Sequence, residues 1–162
     1  MTNSPAPVNI VLMTPEIPGN TGSIARTCAG TGAALHLVGK LGFSLEDKYV
    51  RRAGLDYWPR VQLKQHEKLE DAISSNPEGQ VWLFTKRAEK TLWDVEFKPG
   101  DHLVFGCETQ GLPQEILTAH PGQHLRIPIT DGVRSLNLAN AASIALYEAL
   151  RQIGWSSPAH NL

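Results

Sequence analysis

Apolar runs of strand length alternate with helical patterns along most of this chain, and that alternation limits the folds open to it. Strand-like runs fall at Asn9–Met13, Ala34–Val38, Val81–Phe84, His102–Phe105 and Leu125–Ile129, with a weaker one near Val61–Leu63. Helical spacing falls between them, at Thr21–Ala29, Leu45–Ala53, Glu67–Ser75, Pro113–Ala119 and Leu136–Ile153. Helices between strands imply an α/β layer structure with a mostly parallel sheet. A length of 162 residues fits one domain with a hydrophobic core. Met1–Pro7 and Ser156–Leu162 read as loose ends, and Asn76-Pro77-Glu78-Gly79 reads as a turn rather than a linker.

Several function classes fall away on composition. No apolar run reaches the roughly 18 residues of a membrane helix, and the first residues lack the features of a signal peptide, so a cytoplasmic protein is expected. Cys28 and Cys107 form no C-x-x-C pair, and Pro121-Gly122 separates His120 from His124, so neither a disulfide nor a metal is expected. A net charge of −1 argues against indiscriminate nucleic-acid binding. Locally the balance differs. Lys48, Arg51, Arg52, Arg60, Lys64 and Lys68 face only Asp56 and Glu67, with Tyr49, Tyr57 and Trp58 among them. Phosphate-binding cations among stacking surfaces suit a folded RNA, although a solvated helix face has the same composition.

In parallel sheets ligands bind beyond the carboxyl ends of the strands, which directs attention to three loops. The first, Thr14-Pro-Glu-Ile-Pro-Gly-Asn20, offers Asn20 as a helix N-cap and leads to Gly22 and Arg26 on one helical face. A bare Gly22 would leave room beside the guanidinium, near a positive helix end suited to a phosphate or an oxyanion. The second, Gly106-Cys-Glu-Thr-Gln-Gly-Leu-Pro113, is bounded by glycines whose backbone can approach a flat ligand, and Glu108 is its only carboxylate. The third runs from a strand ending in Ile127-Pro128-Ile129, through a turn at Asp131-Gly132, to Ser135 as N-cap, with Asn137 and Asn140 on one face of the last helix. Taken singly, each also reads as an ordinary turn or capped helix. Nucleotide fingerprints fail: Gly30-Thr-Gly32 precedes a strand instead of following one, and Gly39-Lys40 lacks the spacing of a phosphate loop.

Together, Asn20-x-Gly22-x-x-x-Arg26, Phe105-Gly-Cys-Glu108-x-x-Gly-Leu-Pro113 and Ile127-Pro-Ile-x-x-x-x-Arg-Ser-Leu-Asn137-Leu-Ala-Asn140 resemble the three motifs of SPOUT-class RNA 2′-O-ribose methyltransferases. Pro15-Glu-Ile-Pro18, Asp47-Lys-x-x-Arg-Arg-Ala-Gly-Leu-Asp-Tyr57 and Tyr147-Glu148-Ala149 are similar to the branch that methylates tRNA position 34, cytidine or modified uridine. The resemblance implies S-adenosylmethionine as cofactor, a homodimer, the tRNA anticodon stem-loop as partner, and a C-terminal trefoil knot that ordinary topology rules would exclude. Leucine isoacceptors are the expected substrates.

Carried over position by position, the resemblance places Leu83, Thr85, Gly106, Ile127, Ser135 and Asn140 at the cofactor. Arg26, Asn20, Glu108 and Asn137 fall at the reaction centre; Arg134 is expected on RNA, as are Arg51 and Arg52 from the local basic excess. Arginine stays protonated in proteins, so Arg26 is expected to hold phosphate or an emerging alkoxide rather than act as base. The proton acceptor is left among Glu108, water and a phosphate oxygen. Rival readings are the same chemistry on ribosomal RNA or another tRNA position, a non-catalytic RNA-binding relative, and a nicotinamide-dependent oxidoreductase, which the failed fingerprint disfavours.

Overall fold

A computed structural model describes residues 5–46, 48, 52 and 58–157. Six parallel strands, β1 (Asn9–Met13), β2 (Ala34–Val38), β3 (Gln62–His66), β4 (Val81–Phe84), β5 (His102–Phe105) and β6 (His124–Leu125), form one sheet in the order β3-β2-β1-β5-β4-β6. Among the described residues the helices bounded at both ends are α1 (Pro18–Thr31), α2 (Leu69–Ile73), α3 (Gln114–Ala119) and α4 (Leu138–Ile153), with a short 3₁₀ turn at Trp58–Arg60. The helix expected over Leu45–Ala53 lies largely outside the described residues.

Strand side chains alternate between two cores. Ile10, Leu12, Leu35, Leu37, Leu103 and Phe105 face α1 and α4, whereas Val11, Met13, Val38, Leu83 and Val104 face Leu69, Ala72 and Leu117 of α2 and α3. On α4, Ala142, Ala145 and Ala149 let the helix approach closely, and Leu146 and Leu150 fill the space beside them. Truncating a fully buried leucine of this kind to alanine costs about 2–5 kcal/mol. Gly32 and Gly154, with φ of 80° and 76°, close α1 and α4 in the left-handed conformation that stops a helix. That capping role accounts for Gly32, which had no place in a nucleotide loop.

Four expected strands have the expected limits, and the weak run near Val61–Leu63 grows into β3. Three boundaries are corrected. Helix α1 begins at Pro18, with Ile17 in the cap position, so Asn20 lies inside the first turn and its side chain is turned to another task. Asn137, not Ser135, caps α4, its Oδ1 accepting from the amides of Ala139 and Asn140. The last strand stops at Leu125, and Ile129 is exposed. Past β6 the backbone turns away to bond elsewhere. The Arg126 amide donates to the Lys90 carbonyl at 2.9 Å and its carbonyl accepts from Leu92 at 3.1 Å, while the Leu125 carbonyl accepts from Thr85 at 2.9 Å. The segment from Thr85 to Leu92 thus brackets the chain at Leu125 and Arg126.

Candidate active site

The strand order reverses between β1 and β5, which are neighbours in the sheet although the chain leaves them in opposite directions. A crevice is expected at the carboxyl ends of such a pair. The loops leaving β1 and β5 meet there and are tied by Glu108. Its Oε1 accepts from the Glu16 amide at 2.8 Å, and its Oε2 accepts from the Ile17 amide at 2.7 Å and from Asn20 Nδ2 at 3.2 Å. The tie is reciprocal: Glu16 Oε1 accepts from the Thr109 hydroxyl at 2.7 Å and the Thr109 amide at 3.2 Å. The Thr109 hydroxyl, then the Cys107 side chain and the Thr109 amide, hold the Glu16 carboxyl below its ordinary range.

Asn20 carries the connection onward. Its Oδ1 accepts from Asn137 Nδ2 at 3.0 Å, and Asn137 Oδ1 in turn caps α4. A continuous polar line therefore runs from Glu108 through Asn20 and Asn137 to the N-terminus of α4, joining the three loops singled out in the sequence. Each planar amide is held at both ends, which fixes its orientation.

Beside this line an open recess of about 610 Å³ is lined by Asn20, Ser23, Arg26, Thr27, Asn137, Ala139, Asn140 and Ser143. Arg26 stands on the exposed side of α1. Gly22 is buried, so the space beside Arg26 is shaped by Ser23 and Thr27, three residues before and one after it, and Thr27 Oγ1 meets Ser143 Oγ of α4 at 3.4 Å. The positive helix end at the recess belongs to α4, since Arg26 lies two turns into α1. A guanidinium, hydroxyls and a helix N-terminus together favour an anion or developing oxyanion.

A second group of expected residues sits on adjacent strand ends. Phe84 pairs with both Phe105 and Leu125, so Thr85, Gly106 and the Arg126–Ile127 step lie side by side past the ends of β4, β5 and β6. Thr85 and Ile127 are half-buried. Leu83 is wholly buried in the α2/α3 core, so its backbone alone faces this end of the sheet. A Cβ on Gly106 would lie 2.0 Å from the Gly111 carbonyl carbon and 2.2 Å from the Leu112 nitrogen. Gly106 therefore lets its own loop fold back against the strand end. The bare backbone beside Thr85 and Ile127 is of a kind that receives a flat ring with polar edges.

Asn140, expected at the cofactor, lines the recess with Arg26. Ser135, Arg134 and Arg52 are exposed, and Arg51 lies outside the described residues. Glu16, Ser23, Thr27, Thr109 and Ser143 escaped the sequence reading. The spacing of Ser23 and Thr27 around Arg26, and of Ser143 after Asn140, would have placed three of them. Both cysteines are free, and burial pushes the Cys28 thiol up to about 12, leaving it inert.

The model of the SpoU rRNA methylase family matches residues 7–147, which include both strand-end loops, Arg26 and the cap of α4. This chain belongs to the SpoU methylase family. Among its relatives, a putative tRNA (cytidine(34)-2′-O)-methyltransferase of Listeria innocua is 49% identical over 149 residues, covering 90% of this chain and 88% of the relative. A tRNA (cytidine(34)-2′-O)-methyltransferase of Polaromonas is 44% identical over 155 residues, covering 94% of each. A structure solved for insight into 2′-OH methylation of C/U34 on tRNA superposes with a TM-score of 0.85 at 45% identity, over 92% of this chain and 97% of that one. An rRNA methyltransferase of Sinorhizobium meliloti with bound AdoMet gives 0.80 at 28% identity, over 93% of this chain and 58% of that one.

Proposed function

We propose that this SpoU methylase transfers a methyl group from S-adenosylmethionine to the ribose 2′-oxygen of nucleotide 34 of tRNA, a cytidine or modified uridine. The observation that carries this reading is similarity at 44% identity across 94% of both chains to a relative named for cytidine 34. The Sinorhizobium meliloti rRNA methyltransferase is less similar, at 28% identity, and this chain covers 58% of its length.

The residues fit the cofactor. Thr85, Gly106 and Ile127 present half-buried side chains and bare backbone on three aligned strand ends, a cradle for its adenosine. When bound, the cofactor supplies a methyl group on a positively charged sulfur. The attacking 2′-hydroxyl must be held in line and relieved of its proton, and positioning alone removes much of such a barrier. Arg26 holds the flanking phosphate or the emerging alkoxide in the recess, with Ser23, Thr27 and Asn140 alongside. Glu108 is already engaged at both oxygens by three N–H groups, so it acts as a positioning residue and the proton passes to water or a phosphate oxygen. Asn20 and Asn137 transmit its position to α4.

The anticodon stem-loop lies across the exposed Arg52 and Arg134, together with Arg51, and leucine isoacceptors are the substrates. The threading of Arg126 between Thr85 and Leu92 supports a trefoil knot. A homodimer is supported by Ile144 and Tyr147, exposed at 44% and 53% on α4 beside the recess, and by Ile17 at 48%. Large apolar side chains left exposed in this way suit burial against a second copy.

The deciding experiment is mass spectrometry of nucleosides and anticodon fragments from tRNA incubated with the protein and S-adenosylmethionine. A 2′-O-methyl group on nucleotide 34 is expected. Methylation of another tRNA position or of ribosomal RNA would replace the substrate assignment, and no transfer to any RNA would remove the enzyme reading.

A further inference from the structure

We infer that Glu16 and Thr109 are positioning residues for methyl transfer, forming with Glu108 a two-way clasp that sets the strand-end loop of the cofactor against the recess of Arg26. The inference rests on the proposed activity.

The reciprocity is specific. Backbone amides of the first loop, at Glu16 and Ile17, grip the Glu108 carboxylate, while the Glu16 carboxylate grips the backbone amide and hydroxyl of Thr109, the next residue. Two successive amides converging on one carboxylate form a small anion nest. The Glu108-Thr109 step is thus held on both sides, and neither loop can slide past the other without breaking several charge-assisted bonds.

The first loop is also built to bring Glu16 to this place. Thr14 adopts φ of 45°, in the left-handed region that β-branched residues avoid. A Cβ on Gly42 would lie 2.9 Å from Glu16 Cα, and the Gly42 amide donates to the Pro15 carbonyl at 3.0 Å. A strained residue within the first loop, and a glycine after β2 that has no room for a side chain against it, cost stability and persist where placement matters. What that placement achieves is the clasp, and through Asn20 and Asn137 the attitude of the α4 N-terminus at the recess. Glu16 itself does not line the recess, so its effect travels through these bonds.

The test compares Glu16→Ala, Glu16→Gln and Thr109→Val with the unaltered protein in single-turnover and steady-state methylation, and follows amide hydrogen exchange at Ile17 and Ala139. Glu16→Ala is expected to lower kcat at least about tenfold, with S-adenosylmethionine affinity within about threefold and exchange at Ile17 and Ala139 faster by about tenfold. Glu16→Gln keeps an acceptor oxygen and should recover most of the rate, and Thr109→Val should fall between. Wild-type rate and exchange in Glu16→Ala would overturn the inference, as would a Glu16→Gln rate as low as that of alanine. If the unaltered protein leaves nucleotide 34 unmethylated, the proposed activity falls, and the exchange rates alone decide the clasp.

Discussion

Asn20→Ala removes the middle of the polar line, and the consequences are calculable. The side chain is 8% exposed, accepts from Asn137 at 3.0 Å and donates to Glu108 at 3.2 Å. An amide–amide bond contributes about 0.5–1.5 kcal/mol and one to a carboxylate about 1.5–3, the longer contact here belonging at the low end. A loss of about 2 kcal/mol follows, or roughly 4–8 °C in melting temperature for a chain of this size. Asn137→Ala loses the same shared bond plus an N-cap of about 1 kcal/mol, again about 2 in all. Because one bond is common to both, the double variant should lose about 3 kcal/mol rather than the roughly 4 of independent sites. Urea unfolding of the four proteins at equal slope gives the cycle. A coupling within about 0.3 kcal/mol of zero would refute the idea that the two amides act as one line.

Arg26→Ala should abolish methyl transfer while isothermal titration still finds near wild-type S-adenosylmethionine affinity; lost cofactor binding in a folded variant would remove the role assigned to this residue. Gly106→Ala places a methyl group against the returning backbone, so a loss of about 1–3 kcal/mol and at least about tenfold weaker cofactor binding are expected by urea titration and calorimetry. Arg52→Ala should weaken tRNA binding and flatten its dependence on log salt by about one unit, read by filter binding across salt concentrations. His36 gives a pH prediction. Burial, then the charges of His66, His102 and Lys64, depress it to about 4, so the folded state takes up the proton less readily than the unfolded one. Its contribution is intact above about pH 6.5 and is lost as pH falls towards 4, by about 3 kcal/mol in total. His36→Gln should show a shallower loss between about pH 7 and pH 4.5 in urea unfolding.

What the sequence disclosed follows from the range of the forces involved. Strands β1, β2, β4 and β5 are largely apolar and mostly buried runs and have their predicted limits, because pattern alone determines them. The start of α1 differs from the pattern because Asn20, a good capping side chain, serves Glu108 and Asn137 instead, and that of α4 because Asn137, two residues past Ser135, takes the cap. The short β6 was overextended because the apolar Ile127-Pro128-Ile129 continues the pattern after the backbone has turned to Lys90 and Leu92. At the site, the motif residues were legible one by one. Their division into a recess and a row of strand ends was not, since the packing of α4 beside α1 places Asn140 in the recess and sheet order places Ile127 among the strand ends. Glu16 and Thr109 were hidden for the same reason, each being an ordinary loop residue until strand pairing brings β1 beside β5.

The bonds that assemble the site join residues 88 to 117 positions apart. During synthesis, the first helix with its arginine emerges early and waits. Glu108 becomes available only after β5 has been made, and Asn137 later still. A partly made chain thus has no complete anion pocket with which to engage a transcript, and the appearance of ligand affinity would report that the final helix has docked.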